Sequence, residues 1–272
     1  MSDKLISVIM GIYNCAETLP EALDSIIVQT YTNWELILCD DGSSDQTYAV
    51  AEEYRKKYPE KIILLQNEKN CGLNITLNRC LEQAHGTYIA RMDGDDLSLP
   101  KRFEKEIEIL ETHPEFALVS TNMYFFDETG IWGRTNKKKE PDPADMVLHT
   151  PHCHAPCLVR KEAYEAVGGY SVGKIYERVE DRDLWYKMYA KGYRGMNLDE
   201  PLYEMRDDRN ALSRRKFKYR INGFLVGVRV IRQFRLSPVY YIKALRPLAV
   251  GLLPKPVYRW LHKKHLSGVN KN

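Results

Sequence analysis

Residues 88–96 read YIARMDGDD. The first five make a short apolar strand. The last four form an acidic turn in which Asp93, Asp95 and Asp96 crowd three carboxylates around one glycine. Such a cluster repels itself unless a cation sits in it, and hard oxygen ligands suit Mg²⁺ or Mn²⁺. A solvated acidic turn ahead of the helix that Pro100 opens is the plainer alternative. The place of the turn in the fold separates the two readings.

Toward the N-terminus the chain alternates strand and helix. Residues 5–12 are rich in Val and Ile and read as a buried strand. Thr18 and Glu21 have capping-box spacing for a helix running to about residue 29. Residues 34–39 form the second strand, followed by the polar turn 40–45 and a helix to residue 54. Residues 62–65 are the third strand, and 73–84 a helix closed by Gly86. Strand and helix at such short intervals predict a parallel sheet core with helices on both faces. Ligands of such sheets sit beyond the carboxyl ends of the strands. Asp40–Asp41 and the turn at Asp93 both lie there, which favours the metal reading.

Beyond Pro100 the pattern loosens. Residues 116–126 read as a long strand, 137–145 as a charged loop, and 158–170 as a strand and helix ending at Gly168 and Gly169. Residues 180–190 read as a helix and 193–206 as a strand. Net charge is only +3, yet residues 1–208 carry 24 Lys and Arg against 37 Asp and Glu, whereas residues 209–272 carry 16 Lys and Arg and no acid. That break predicts two regions, 1–213 and 214–272, with different partners. In the second, Ile221, Phe224, Leu225, Val228 and Ile231 follow helical spacing, as do Ile242, Leu245, Leu248, Ala249 and Leu252. Cations between them suit an anionic membrane surface. A packed helical lid is the alternative, and a protein partner for the basic tail stays open. The acidic body and the lack of a nucleic-acid motif argue against nucleic acid.

No signal peptide is expected, since the opening apolar run stops at Tyr13, and no apolar run approaches the about 20 residues that span a bilayer. Cys15, Cys39, Cys71, Cys80, Cys153 and Cys157 form no CxxC pair or zinc spacing, so reduced thiols are expected.

Three further clusters carry chemistry. Asp40-Asp41-Gly42-Ser43 offers carboxylates to a base N–H or a ribose hydroxyl, or caps the next helix. Glu180 and Asp181 open the helix at 180–190, either for its dipole or as a general base. His154, with His152, faces a phosphate, metal or acceptor, or is simply packed. Arg206 cradles diphosphate or belongs to the basic tail.

In this order the motifs resemble the family 2 glycosyltransferases of GT-A fold, a Rossmann-like mixed sheet with helices on both faces, here with a helical C-terminal extension. The resemblance rests on SVIMGIYN at 7–14, QTYTNWELI at 29–37, DDGSSD at 40–45 and the Asn70, Gly72, Asn78 loop. It continues through the DxD turn at Asp93–Gly94–Asp95, GGY at 168–170 and EDRDLW at 180–185. It spans residues 5 to 213. The chain is most similar to bacterial exopolysaccharide and capsule enzymes, whose HxxxxxR stretch matches His154 to Arg160.

The resemblance implies that Asp41 meets a uracil-like base beside Gly11 and Tyr13, with Asn70 lining the same donor site. It further implies that Asp93 faces the ribose, Asp95 ligates Mn²⁺ or Mg²⁺, and Asp181 is the base of a single displacement. The expected donor is a nucleoside-diphosphate sugar, chiefly a UDP-sugar. The expected acceptor is a lipid-linked saccharide or polysaccharide, and the expected place is the cytoplasmic face of the membrane. Two alternatives stand beside this one. A sugar nucleotidyltransferase would want a Gly-rich, Arg-bearing loop that 11–18 lacks, and a non-catalytic or dual-role interaction module would use the tail.

Overall fold

The computed structural model describes residues 3–207 and 216–252. Its sheet runs β3-β2-β1-β4-β8-β6-β9-β5, with β7 paired to β6. β1 (Ile6–Ile12), β2 (Trp34–Asp40), β3 (Ile62–Gln66) and β4 (Tyr88–Arg91) are mutually parallel. β8 (Cys157–Arg160) then runs antiparallel to both β4 and β6 (Leu118–Asp127), and β9 (Gly195–Arg206) lies parallel to β6. The parallel core is therefore confined to the first four strands, and the sheet is mixed. Two short strands escaped the sequence reading. β5 (Leu97–Ser98) exists only through its pairing with β9, and β7 (Gly130–Arg134) closes a hairpin on β6.

Side-chain alternation splits the core in two. Ile6, Val8, Met10 and Ile12 of β1 face one cluster, packed by α1 (Leu19–Ile27), α2 (Thr47–Lys57) and α4 (Arg102–Thr112). Ile9 and Ile37 face the other, packed by α3 (Leu73–Glu82), α5 (Lys161–Val167) and α6 (Glu180–Ala190). The tail helix α7 (Phe217–Gln233) joins the second cluster through Val226, Val230 and Ile231. Two short helices, α8 (Val239–Ala244) and α9 (Arg246–Gly251), pack against α7.

Local details depart from the sequence reading. Thr18 adopts a helical backbone (φ −99°, ψ −23°), whereas an N-cap side chain acts from extended geometry. Its hydroxyl instead donates to the Cys15 and Gly94 carbonyls, tying α1 to the acidic turn. α3 ends at Glu82 with Gln83 as its C-cap, short of Gly86, which lies so close to β1 that an added Cβ would stand 2.6 Å from the Leu5 carbonyl. On α7 the expected apolar stripe divides: Ile221 and Leu225 are exposed, whereas Ile231 is buried with the inner face. The buried face is Asn222, Gly223, Val226, Gly227 and Val230. The two glycines admit the Arg182 guanidinium, which lies 3.2 Å from where a Cβ on Gly223 would stand and donates to the Met146 and Val147 carbonyls. No described helix is long and apolar enough to cross a membrane.

Candidate active site

Three loops meet at the carboxyl ends of β1, β2 and β4. Past β1, Tyr13 is exposed and Asn14 takes a left-handed backbone (φ 47°). The Asn14 N–H donates to Ser43 Oγ, and its Oδ1 accepts from the Ser44 N–H. Gly11, one residue inside the strand end, faces α3, where a Cβ would stand 3.1 Å from Thr76 Cγ2.

The two aspartates after β2 are already engaged. Asp40 accepts from the Ser43 N–H and hydroxyl and from Gln66. Asp41 is buried, and its oxygens accept from Asn67 Nδ2 (2.7 Å), the Cys71 N–H (2.8 Å) and the Gly72 N–H (2.9 Å). A carboxylate has about four acceptor sites, so one remains for a ligand. Asp41 thus holds the 67–72 loop, with exposed Asn70 in it, against the strand ends. Gly42 makes that possible. At φ +69° it occupies the region glycine favours, and a Cβ there would strike the Lys69 backbone at 2.6 Å.

The acidic turn divides its labour. Asp93 pairs with Arg91 at 2.6 Å, and its N–H donates to the Tyr203 hydroxyl. Asp96 is buried, accepts from the Arg206 N–H, and fastens the turn to β9. Burial first, then the charges of Asp93 and Asp95, push its carboxyl well up. The Asp95 carboxylate reaches solvent and, among the described residues, accepts only from its own backbone, while the packed turn around it and then Asp93 raise its pKa. A cation would relieve that strain. No group of three metal-binding side chains exists among the described residues. Mg²⁺-type sites commonly take one or two carboxylates and complete their shell with substrate phosphates and water, so Asp95 suits such an ion. Gly94 is required by closeness, since a Cβ would stand 2.9 Å from Cys15 Sγ. Arg206 is committed to the turn, donating to the Asp95 carbonyl at 3.0 Å and to Glu21 at 2.6 Å.

Opposite the turn stands a wall built from α6 and the 168–171 segment. Asn78 of α3 both accepts from the Tyr170 N–H and donates to the Tyr170 carbonyl, and Asn74 donates to the Ser171 carbonyl. The Tyr170 hydroxyl bonds His154 Nε2 at 2.9 Å, and the His154 ring stands edge-on to Trp185. Burial, then the nearby Arg91 charge, hold His154 well below the usual range and therefore neutral. Glu180 is raised by burial and then by Asp181, and the Arg91 charge works the other way. Asp181 accepts from the Arg182 N–H at 2.7 Å and pairs with no cation among the described residues. Asp183 is spent on Ser171 (2.6 Å) and Arg229 (3.2 Å), which removes it as an alternative base.

The sequence reading passed over Arg91, whose buried guanidinium stands between the turn and this wall. A charged residue inside an otherwise apolar strand is the signal that marks it. Arg102 was missed too. Fully buried, it donates to the Arg91, Ala155 and Cys157 carbonyls and so fixes β4 against β8.

His152 is a packed histidine, bonded to Asn197 (2.7 Å) and the Tyr189 hydroxyl (2.9 Å), and burial drives its pKa to about 3. An unfolded histidine titrates near ~6.5. Above that pH neither state is charged. Below it the unfolded chain gains a proton the folded one refuses, so stability falls with pH until about 3. Between pH 7 and 5 this site costs about 2 kcal/mol. His152→Gln is expected to remove that share of the acid slope, read from denaturant midpoints across the interval; an unchanged slope would refute it.

Residues 7–168 match the model of the glycosyl transferase family 2. The chain is a family 2 glycosyltransferase. This glycosyltransferase is 43% identical over 265 residues to the glycosyltransferase EpsE of Bacillus subtilis, covering 97% of this chain and 95% of that one. It is 27% identical to the UDP-Glc:alpha-D-GlcNAc-diphosphoundecaprenol beta-1,3-glucosyltransferase WfaP of Escherichia coli, over 88% of this chain and 92% of that one. Among solved structures, S. aureus TarS 1–349 in complex with UDP-GlcNAc superposes with a TM-score of 0.68 at 20% identity, over 91% of this chain and 71% of TarS. The fold is therefore GT-A, and the expected mixed sheet with a helical C-terminus is what the enzyme has.

Proposed function

We propose that this enzyme transfers one sugar, with inversion, from a UDP-sugar to a lipid-linked saccharide of exopolysaccharide assembly. The observation that carries the reading is which carboxylates are left unspent. The side chains of Asp40, Asp41, Asp93, Asp96 and Asp183 are each engaged by donors of other residues, near or far in the chain. Asp95 and one oxygen of Asp181 are not, among the described residues.

In this scheme Asp41 and the 67–72 loop receive the base, and Asp93 orients the ribose. A Mn²⁺ or Mg²⁺ ion on Asp95 would stabilise charge on the diphosphate. Asp181 takes the proton of the acceptor hydroxyl, whose oxygen bonds the anomeric carbon. The bond from that carbon to the β-phosphate oxygen breaks, and the nucleoside diphosphate leaves with the electron pair. Attack opposite the leaving group turns an α-linked donor into a β-linked product. The names of WfaP and of the TarS complex support a UDP-sugar donor, and that of WfaP supports a diphosphate-lipid acceptor.

We further place the enzyme on the cytoplasmic face of the membrane, docked through the segment after residue 213 as a second functional region. Exposed Ile221, Leu225, Ile242, Leu245 and Leu252 lie there among cations, which suits an anionic interface.

The test is a panel of UDP-Glc, UDP-GlcNAc and GDP-Man, read by thermal protection, hydrolysis and product configuration. A UDP-sugar at a hundred times its Kd is expected to stabilise the fold by about 2.7 kcal/mol. Protection by no UDP-sugar, or an α-linked product, overturns the proposal.

A further inference from the structure

The short turn at 174–178 leads the chain into α6 and hence to Asp181. Arg178 closes it at φ 61°, a left-handed backbone in a residue other than glycine. Such a position is conformationally costly and persists only where the surroundings over-determine it. α6 does not fix its own start, because its N-cap is Val179, whose side chain accepts no hydrogen bond. The orientation of the first turn of α6 therefore depends on what holds the turn before it.

That hold comes from the tail helix. Asn222 is buried on the inner face of α7, and its Nδ2 donates to the Lys174 and Glu177 carbonyls, each at 3.0 Å. The Glu177 carbonyl belongs to the peptide whose nitrogen is that of Arg178. Fixing it fixes the strained link. A buried amide has to be hydrogen-bonded, and this one spends both donor protons on the turn. Lys218 of α7 also pairs with Glu177 at 2.7 Å, but that pair is exposed, where ion pairs contribute little. Beyond the base, Arg229 of α7 meets Asp183, and Gly223 makes room for Arg182. α7 thus holds the chain on both sides of Asp181, and Asn222 is its buried contact with the strained side.

We propose that Asn222 is a positioning residue for the transfer, holding the 174–178 turn so that Asp181 meets the acceptor hydroxyl. The inference rests on the reading of Asp181 as the base. The experiment compares Asn222→Ala, Asp181→Asn and the double variant, each in the full chain. Turnover is read as UDP released from the protecting UDP-sugar with a GlcNAc-diphosphate-polyprenol as acceptor. It is expressed per UDP-binding site, so that unfolded chains do not count. Asn222→Ala is expected to lower kcat about a hundredfold, the cost of a misplacement of about 1 Å, with UDP affinity within about twofold of the unmodified enzyme. In the double variant the alanine is expected to cost less than about threefold beyond Asp181→Asn, because a group that acts through the base has nothing left to position. A general loosening of the fold would multiply the two losses instead, and that result overturns the inference. So does Asn222→Ala turning over at the native rate beside an impaired Asp181→Asn, an outcome that leaves the base assignment standing. A fully active Asp181→Asn would strike the base assignment itself, and the role of Asn222 with it.

Discussion

Replacing Asp181 with Asn is expected to lower turnover by roughly two to four orders of magnitude, the range of a lost general base, while donor affinity stays near native. The substitution is nearly isosteric. The Arg182 N–H still finds an oxygen to bond, so the start of α6 should keep its geometry. What disappears is the ability to accept a proton. In the proposed scheme the donor contacts fall to Asp41 and the acidic turn, and these are untouched. Single-turnover kinetics with calorimetric UDP titration separates the two quantities. A variant that turned over normally would move the base to Glu180, because Asp183 is already held by Ser171 and Arg229. A variant that lost donor binding would instead place Asp181 on the donor side.

Chelation is expected to abolish transfer, with Mn²⁺ or Mg²⁺ restoring it, and Asp95→Asn should lose metal-dependent donor binding with the fold intact. The neighbours of Asp95 explain why it is the informative position. Asp96 is buried and fastens the turn to β9 through the Arg206 N–H, so Asp96→Asn mixes folding with function. Asp93 carries a 2.6 Å pair with Arg91, and its loss would leave a buried guanidinium without its carboxylate, a penalty of about 3–5 kcal/mol when an ion pair is broken from one side. Among the described residues the Asp95 carboxylate has no such partner, and neutralising it removes crowding that already raises its own carboxyl and Asp96. The fold should therefore be unharmed or slightly firmer. Donor binding with and without Mn²⁺, alongside a melting curve, decides the matter. Full activity in excess chelator would reject the metal assignment.

The sequence by itself determined the elements whose periodicity is strong and whose partners are near in the chain. β1 to β4, the helices between them and α6 lie within a few residues of where apolar spacing put them. The positions of both acid clusters at strand ends followed from that alternation, because the carboxyl edge of a parallel sheet is fixed once strand order is. What the sequence could not carry was competition for hydrogen bonds between segments far apart. Asp41 and Asp95 look alike as exposed acids on turns. Only the packed 67–72 loop shows that the first is spent on three donors, and only the folded surroundings of the turn show that, among the described residues, no side chain engages the carboxylate of the second.

Tertiary packing also decided which face of α7 is inside. Apolar spacing grouped Ile221, Phe224, Leu225, Val228 and Ile231 as one stripe, yet the fold leaves Ile221 and Leu225 exposed, buries Ile231, and turns Gly223 and Gly227 inward where Arg182 reaches two carbonyls. A buried guanidinium with unmet donors costs more than a few exposed aliphatic side chains contribute, and hydrophobic spacing does not record that demand. The same is true of Thr18, whose hydroxyl left the helix end for Gly94, and of β5, two residues that are a strand only because β9 lies beside them. Patterns along the chain fixed what each segment prefers, and contacts across it fixed which polar groups were already satisfied and therefore which remained for chemistry.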